Sequence, residues 1–191
     1  MTADPLRLLL DDRSQAASLQ DPLCDRCFLA TVNDHGNPEV RTLVIRDIEG
    51  RMGVFVNGSS PKCQQLENSA TATVMMYFES IGVQYRVETE LSPIESMLVH
   101  DMWQNRPDVS KKLDYLYTTF PQSSPMENRE LLLASLEEMA VPRVAPKTAK
   151  GFYFEPMTSV ERLSLDQSDG LHVRTLFKYL GSSWSVQQLV P

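Results

Sequence analysis

The segment FVNGSSPKCQQLEN, residues 55–68, changes from strand to helix in its middle. Its alternating apolar start stops at a Gly-Ser-Ser turn, which is typical of a strand end. Pro61 suits the first position of a helix because its missing N–H is not needed there, and Ser60 is then the predicted N-cap. The segment therefore predicts a strand, a tight turn and a helix of eight residues.

Lys62 lies in the first turn of this helix, where the helix dipole disfavours a cation. An anion at the helix N-terminus would reverse that preference, because it accepts from the lysine and from the hydroxyls of Ser59 and Ser60. A phosphate group is the natural anion for such a set of donors. The alternative is an ordinary capped helix with a solvated lysine.

Composition limits the class of protein. The 191 residues are 42% hydrophobic and 23% charged, which is ordinary for one globular domain. A net charge of -7 makes a nucleic-acid partner unexpected, because that binding requires many cations. The stretch MTADPLRLLLDDRSQ lacks a basic leader, and no run reaches the length of a membrane span, so we expect a cytoplasmic protein with no membrane partner.

Three cysteines do not make a disulfide framework. Cys24 and Cys27 form a CxxC pair, which is found in zinc sites as well as in proteins with ordinary thiols. No second pair accompanies them and the histidines are scattered, so we expect no metal.

Alternating apolar patterns and turn residues predict most of the chain as short strands, with helices between two strand blocks. Capping-box patterns at Ser92–Glu95 and Ser124–Glu127 predict two of the helix starts. The predicted helices are 6–20, 61–68, 93–105, 110–117 and the run RELLLASLEEMA. The predicted strands are 28–32, 39–48, 52–57, 71–78 and 83–91, followed by strands in GFYFEP, SVERLSL, LHVRTLFKYL and WSVQQLVP.

This order predicts a fold that is mainly β with α: an antiparallel barrel with helices packed outside it. Alternating βαβ order, GxGxxG and a Walker loop are absent from the sequence, which excludes a Rossmann or P-loop domain. We expect one domain over 1–191. Its parts are an N-terminal helix (1–20), a first strand block (28–92), a helical insertion (93–140) and C-terminal strands (150–191).

Two pairs of basic residues are further candidates for binding an anion or a polar ligand. Arg41 and Arg46 lie on one predicted strand, but their odd spacing puts them on opposite faces unless a bulge intervenes. They could serve different parts of one ligand, or they could be exposed cations at the strand ends. His172 and Arg174 are two apart and would share a face, which suits a polar ligand or an exposed strand surface.

Several fragments in order resemble the pyridoxamine 5'-phosphate oxidase family, flavoproteins with an FMN-binding split barrel. The resemblance runs from about residue 28 to the end of the sequence. It rests on FLATVNDHGNPEVRTLVIR, FVNGSSPKCQQLEN, VQYRV, QNRPDVS, PQSS, GFYFEP, GLHVR and WSVQQLVP. It implies an antiparallel, Greek-key-like split barrel.

The resemblance also implies FMN as the cofactor and a homodimer with FMN at the interface. It assigns cofactor contacts to three groups of residues: strand positions beside the flavin, the phosphate corner, and later positions along the chain. These are Arg41, Thr42, Leu43, Val44, Arg46, Phe55 and Val56; Ser60 and Lys62; and Gln84, Gln122, Ser123 and Arg174.

For the substrate, the resemblance implies contacts from Arg106, Ser110 and His172. The sequence departs from the family pattern at five positions near substrate and flavin. A tyrosine is replaced by Met102, arginines by Gly170 and Pro61, a lysine by Arg46 and a tryptophan by Leu163.

We therefore expect an FMN-dependent oxidoreductase that acts on a small substrate through the flavin, with no protein nucleophile. Three alternatives stay open: a genuine pyridoxamine/pyridoxine 5'-phosphate oxidase, a non-catalytic flavin- or haem-binding module, and a barrel that has lost its ligand. Losing a charge-assisted hydrogen bond removes about 1.5–3 kcal/mol, so the departures argue against efficient oxidation of the vitamin B6 phosphates.

Overall fold

A computed structural model describes residues 4–191. Within these residues, five helices and eleven strands follow one another, with a single 3-10 turn at Glu79–Ile81. The helices are α1 (Pro5–Ser18), α2 (Pro61–Asn68), α3 (Ser96–Gln104), α4 (Asp108–Thr119) and α5 (Arg129–Glu138). The strands are β1 (Arg26–Val32), β2 (Pro38–Val44), β3 (Arg46–Ile48), β4 (Arg51–Asn57), β5 (Thr71–Phe78), β6 (Val83–Glu90), β7 (Ser92–Pro93), β8 (Ala149–Tyr153), β9 (Met157–Ser164), β10 (Val173–Tyr179) and β11 (Trp184–Leu189).

The strands form two antiparallel sheets. The larger has seven strands in the order β11-β10-β9-β6-β5-β1-β2, and the smaller has four in the order β3-β4-β8-β7. The predicted strand 39–48 is wrong as a single strand, because it breaks at Ile45. This buried residue carries the chain from one sheet to the other. Arg41 and Arg46 therefore belong to different sheets, and neither needs a bulge.

One face of the larger sheet supplies most of the core. In β6, Val83, Tyr85 and Val87 are buried, while the residues between them point to the opposite face. The same alternation in β1 and β5, together with Val160 of β9, produces a continuous apolar layer that also packs against α1 and β4. The mainly antiparallel barrel that the sequence predicts is confirmed.

The N-terminal helix is fixed to this core by a buried polar cluster. Asp12 of α1 accepts hydrogen bonds from the Tyr85 hydroxyl at 2.5 Å and from Nε of Arg162 at 2.7 Å. Since all three side chains find partners in the core, α1 acts as a brace. The predicted helix is confirmed over its described part, and residues 1–3 of the expected 1–20 segment lie outside the described residues.

Both predicted capping boxes are wrong. Ser92 and Pro93 form the short strand β7 beside β8, and the N–H of Ile94 donates to the carbonyl of Gly151 at 2.9 Å, so α3 begins only at Ser96. In the second case Asn128 is the N-cap, because its side chain accepts from the N–H of Glu130. Pairing with a neighbouring strand overrides the local signal in the first case, and a better cap overrides it in the second.

Helix α2 matches its predicted bounds of 61–68, and β5 matches 71–78. Between residues 4 and 191, no helix combines the length and the apolar character needed to cross a membrane.

Gly53 provides a test of how tightly the smaller sheet is assembled. A Cβ at this position would lie 2.6 Å from the carbonyl oxygen of Phe152, a backbone atom held in the β4–β8 ladder. We predict that Gly53→Ala lowers the free energy of unfolding by about 1–3 kcal/mol, measured by urea denaturation. Gly151→Ala is the comparison variant, because the atoms nearest to its Cβ would belong to the side chains of Ile94 and Phe55 and not to the backbone. Equal stability of Gly53→Ala and the wild type would contradict this account.

Candidate functional site

Lys62, one of the two residues expected at the phosphate, lines a cavity of about 420 Å³ between β2, the start of α2 and the loop after α4. We call it the Lys62 cavity. It is lined by Glu39, Val40, Arg41, Thr42, Leu43, Pro61, Lys62, Gln122 and Ser123.

Lys62 is the distinctive group of this cavity. Burial lowers the pKa of its amine, and the nearby Arg41 guanidinium lowers it further. Nζ donates to Oε1 of Gln122 at 3.2 Å, and Lys62 takes part in none of the ion pairs formed within residues 4–191. An anion in the cavity would offset the cost of burying this ammonium group.

Arg41 lies in the same cavity but is already held by neighbouring groups. Its guanidinium donates to the hydroxyl of Thr31 at 2.5 Å, to Oε1 of Gln65 at 3.2 Å and to the carboxylate of Glu39 at 3.3 Å. Desolvation lowers the pKa of Arg41, and the Glu39 charge partly reverses that effect. Arg41 is therefore held in the cavity lining, with Glu39 as its carboxylate partner.

Glu39, the carboxylate partner of Arg41, lies on the cavity rim. Its side chain is 41% exposed and lies on the edge strand β2. Hydrogen bonds from Gln65 and Asn33 lower its pKa, so it is an anion. Solvent therefore screens its charge more than it would screen that of a buried carboxylate.

Gln122 and Ser123 close the cavity from the loop between α4 and α5. The N–H of Gln122 donates to Oγ of Ser59 at 3.1 Å, and Ser59 also donates to Oδ1 of Asn57 at 2.7 Å. Ser123 has a φ of 72°, a left-handed conformation that a residue with a side chain adopts at a cost of about 1–3 kcal/mol. Such local strain is found most often at binding sites.

Two expected cofactor contacts are turned away from the cavity. The hydroxyl of Ser60 is buried and donates to the carbonyl of Asn57 at 2.6 Å. Ser60 is the N-cap residue by position, but its side chain makes no capping bond. Val56 packs in the core, because alternation along β4 points Phe55 the other way.

A second cavity of about 480 Å³ adjoins the first at Thr42 and Leu43. We call it the Arg106 cavity. It collects most residues expected beside the flavin ring and around the substrate. Its lining is Thr42, Leu43, Val44, Arg46, Phe55, Met102, Asn105, Arg106, Pro107 and Ser110.

Arg106 forms an ion pair at the back of this cavity. Its Nη1 lies 2.6 Å from Oδ2 of Asp114, and that same oxygen accepts from Nε1 of Trp103 at 2.8 Å. Desolvation raises the pKa of Asp114, and the Arg106 charge opposes that rise. The arginine that the sequence assigns to an anionic substrate is thus already paired with a buried carboxylate.

The remaining expected cofactor residues lie elsewhere on the same chain. Gln84 pairs with Leu163 across β6 and β9, and Leu163 pairs with Arg174 across β9 and β10. All three therefore share the outward face of the larger sheet. Both Arg174 and Arg86 bond to the carboxylate of Glu161, whose side chain is only 6% exposed.

His172 precedes β10 and is not part of it, so it does not share a strand face with Arg174 as predicted. It is exposed, as is Gly170 in the same turn, where a Cβ would meet nothing within 4 Å. Neither residue lines the Arg106 cavity of its own chain.

The CxxC pair has no partner set for a metal. Burial raises the pKa of the Cys27 thiol to about 12, so it is neutral. Residues 4–191 contain no group of three or more side chains suited to hold a metal ion.

Four residues at the site were missed in the sequence: Glu39, Gln65, Asp114 and Glu161. The sequence could have identified Glu39, because it lies two residues before Arg41 and so shares its strand face. Asp114 follows Ser110 by one helical turn, which puts both on one face of α4. Gln65 contacts Arg41, and Glu161 contacts Arg86 and Arg174, through tertiary contacts that a local sequence pattern does not predict.

Comparisons with known proteins agree with this architecture. The family model described as pyridoxamine 5'-phosphate oxidase, FMN-binding domain, matches residues 9–95. A pyridoxine/pyridoxamine 5'-phosphate oxidase of Anaeromyxobacter dehalogenans is 26% identical over 98% of this chain and 96% of its own.

Two solved structures have a similar fold. PhzG from Burkholderia lata 383, in complex with tetrahydrophenazine-1-carboxylic acid, has a TM-score of 0.86 at 24% identity and covers 98% of this chain and 93% of its own. A pyridoxamine 5'-phosphate oxidase-related, FMN binding protein from Nostoc punctiforme has a TM-score of 0.77 at 22% identity, with full coverage of both chains.

The two antiparallel sheets, the crossing at Ile45 and the helices outside them define a split-barrel fold like that of these two structures. Residues 9–95 match the model of the pyridoxamine 5'-phosphate oxidase FMN-binding domain, and nearly the whole chain is similar to a pyridoxine/pyridoxamine 5'-phosphate oxidase.

Lys62 gives the direct test of the first cavity. We predict that Lys62→Glu weakens FMN binding at least about tenfold, because it replaces a charge-assisted donor with a like charge. The measurement is quenching of FMN fluorescence on titration with apoprotein. Lys147→Glu is the control, since this exposed residue makes the same charge change outside both cavities. If Lys62→Glu bound FMN as tightly as the wild type, the FMN phosphate could not be assigned to this cavity.

Proposed function

We propose that the chain binds FMN with its phosphate in the Lys62 cavity, and that it is an FMN-dependent oxidoreductase acting on a small substrate. The observation that carries the proposal is the half-buried Lys62 side chain, whose ammonium group has no carboxylate partner within residues 4–191 and lines a cavity with further donors. A phosphate with about -1.5 to -2 charges suits such a corner.

The donor set matches a phosphomonoester in kind. Arg41 and Lys62 supply charged N–H groups, and Gln122 and Ser123 supply neutral polar groups. Charge-assisted hydrogen bonds are shorter and stronger than neutral ones, so the two cations would provide most of the affinity. Entry of the phosphate would displace Glu39 from Arg41 toward solvent.

FMN bound here would supply two-electron redox chemistry without a protein nucleophile. The chain's own residues would bind and orient the substrate in the Arg106 cavity. Arg106 and Ser110 would donate hydrogen bonds to its polar group, and Phe55 and Met102 would exclude water from its apolar part. The acceptor of the electrons would be oxygen or another oxidant.

We further propose a homodimer whose second copy completes the site. Gln84 lies three strands away from β2, about 14 Å at the usual strand spacing, and Arg174 lies two strands further. One chain therefore does not bring these residues to its own cavities. A second copy on the outward sheet face would do so, and His172 could then orient the substrate from that copy.

The outward sheet face carries charged residues, among them Arg86, Glu161 and Arg174. Five of its other side chains are half-buried and apolar or aromatic, which is typical of a surface that another protein covers. They are Phe28, Met75, Tyr77, Leu163 and Leu176. Their side chains lie opposite the core face of the same strands.

A second candidate function is the oxidation of pyridoxine or pyridoxamine 5'-phosphate. The curated relative carries that name and covers nearly the whole chain. The replacements at Met102 and Gly170, and the Arg106–Asp114 pair, oppose it.

The cofactor and the activity are tested in sequence. We predict that the purified protein, as isolated or after incubation with FMN, has the blue and near-ultraviolet absorption bands of oxidised flavin. Anaerobic reduction by NAD(P)H or dithionite, followed by mixing with air and candidate substrates in a stopped-flow instrument, then measures turnover. A protein that stays colourless with FMN contradicts the proposal, and bound flavin with no turnover favours a non-catalytic module.

The dimer has its own test. We predict that Met75→Asp shifts the protein from dimer to monomer in size-exclusion chromatography with light scattering, because it puts a charge in the proposed interface. FMN affinity should fall with it. Val144→Asp is the matched control, since Val144 is exposed on the connector before β8. A wild-type protein that runs as a monomer with FMN bound would contradict the interface.

A further inference from the structure

We propose that Asp114 determines the substrate class of the Arg106 cavity, which admits a monocarboxylate on an apolar ring or chain and rejects phosphate monoesters. The inference rests on the proposed function only in treating this cavity as the substrate site. It concerns charge, and it can be measured with small anions whether or not FMN is bound.

The residues that line the Arg106 cavity have a low net positive charge. Arg46 and Arg106 are the cations that line the cavity, and no carboxylate is among the lining residues. Asp114 lies directly behind Arg106 and neutralises it through the 2.6 Å contact. The cavity therefore offers an incoming ligand a net charge near +1, which matches a carboxylate rather than a phosphomonoester with about -1.5 to -2 charges.

Asp114 cannot move aside. Its side chain is 7% exposed, and the indole N–H of Trp103, itself buried, fixes the same oxygen that contacts Arg106. A phosphate at Arg106 would lie close to this fixed carboxylate. Repulsion between like charges at low exposure is screened little by solvent.

Glu39 in the Lys62 cavity shows the contrast. It also accepts from an arginine, but its side chain is 41% exposed on an edge strand, against 7% for Asp114. That cavity also contains Lys62, a half-buried cation outside the ion pairs of residues 4–191. A dianion is therefore suited to the Lys62 cavity and unsuited to the Arg106 cavity.

The rest of the Arg106 cavity indicates what the carboxylate is attached to. Val44, Phe55 and Met102 make one wall apolar, while Asn105 and Ser110 supply neutral polar groups near the arginine. The side chain of Arg106 is 34% exposed, so its remaining N–H groups can donate to a ligand. The chemistry suits a carboxylate joined directly to a ring or short chain.

Benzoate and phenyl phosphate make a matched pair of probes, because they share a ring and differ in the anion. We expect isothermal titration calorimetry in the Lys62→Glu background, where the Lys62 cavity no longer favours a phosphate, to give benzoate at least about tenfold higher affinity than phenyl phosphate, the factor that follows from one lost charge-assisted bond. Asp114→Asn keeps an oxygen that can accept from Trp103 and removes the charge. It should raise phenyl phosphate affinity at least about tenfold while changing benzoate affinity much less.

Trp103→Phe is the control for a merely structural effect, since it disturbs the same buried contact and leaves the charge of Asp114. It should keep the preference for benzoate. Equal binding of the two probes in this background, binding of neither probe, or an unchanged preference on adding Asp114→Asn would each overturn the inference. FMN titration of the wild-type protein reports separately on the proposed function, because absence of flavin binding with the anion preference intact contradicts only that function.

Discussion

The crossing at Ile45 is the constraint on which the site depends. Ile45 is buried, and its N–H donates to the carbonyl of Asp25 at 3.0 Å, so the chain leaves the larger sheet at a fixed point and enters the smaller one at Arg46. Because the two sheets part here, the end of β2 is open to helices and loops on one side. Thr42 and Leu43 line both cavities as a result, and the cavities share one wall.

The sequence predicted local elements well and their ends less well. Alternation over 71–78 and the Pro61 signal gave β5 and α2 with their observed bounds, because each depends on neighbouring residues. The break at Ile45 and the strand pairing of Ser92 depend on contacts with distant segments. No pattern within a few residues could reveal them, since backbone hydrogen bonds to another strand outweigh a local capping preference.

The sequence identified the basic residues of the site, but it did not identify the carboxylates that pair with them. Motif order brought Arg41, Lys62 and Arg106 into consideration, and the structure gathers them in two adjoining cavities. The carboxylates that bind these arginines are set by tertiary packing. Asp114 reaches Arg106 across the turn between α3 and α4, where eight residues of sequence separate the two side chains. Charge balance at a site is thus a property of the fold.

The pairing of arginines with carboxylates affects which anions the site would bind. Arg106 and Arg174 are each bonded to a buried carboxylate, so an anion that approaches either one must share it with a fixed negative charge. The Glu39 partner of Arg41 is 41% exposed, and Lys62 has no carboxylate partner within the described part of the chain. In the proposed function, affinity for a dianion would therefore be concentrated where β4 ends and α2 begins. Elsewhere the arginines act through geometry and hydrogen bonding more than through net charge, which favours ligands of lower charge.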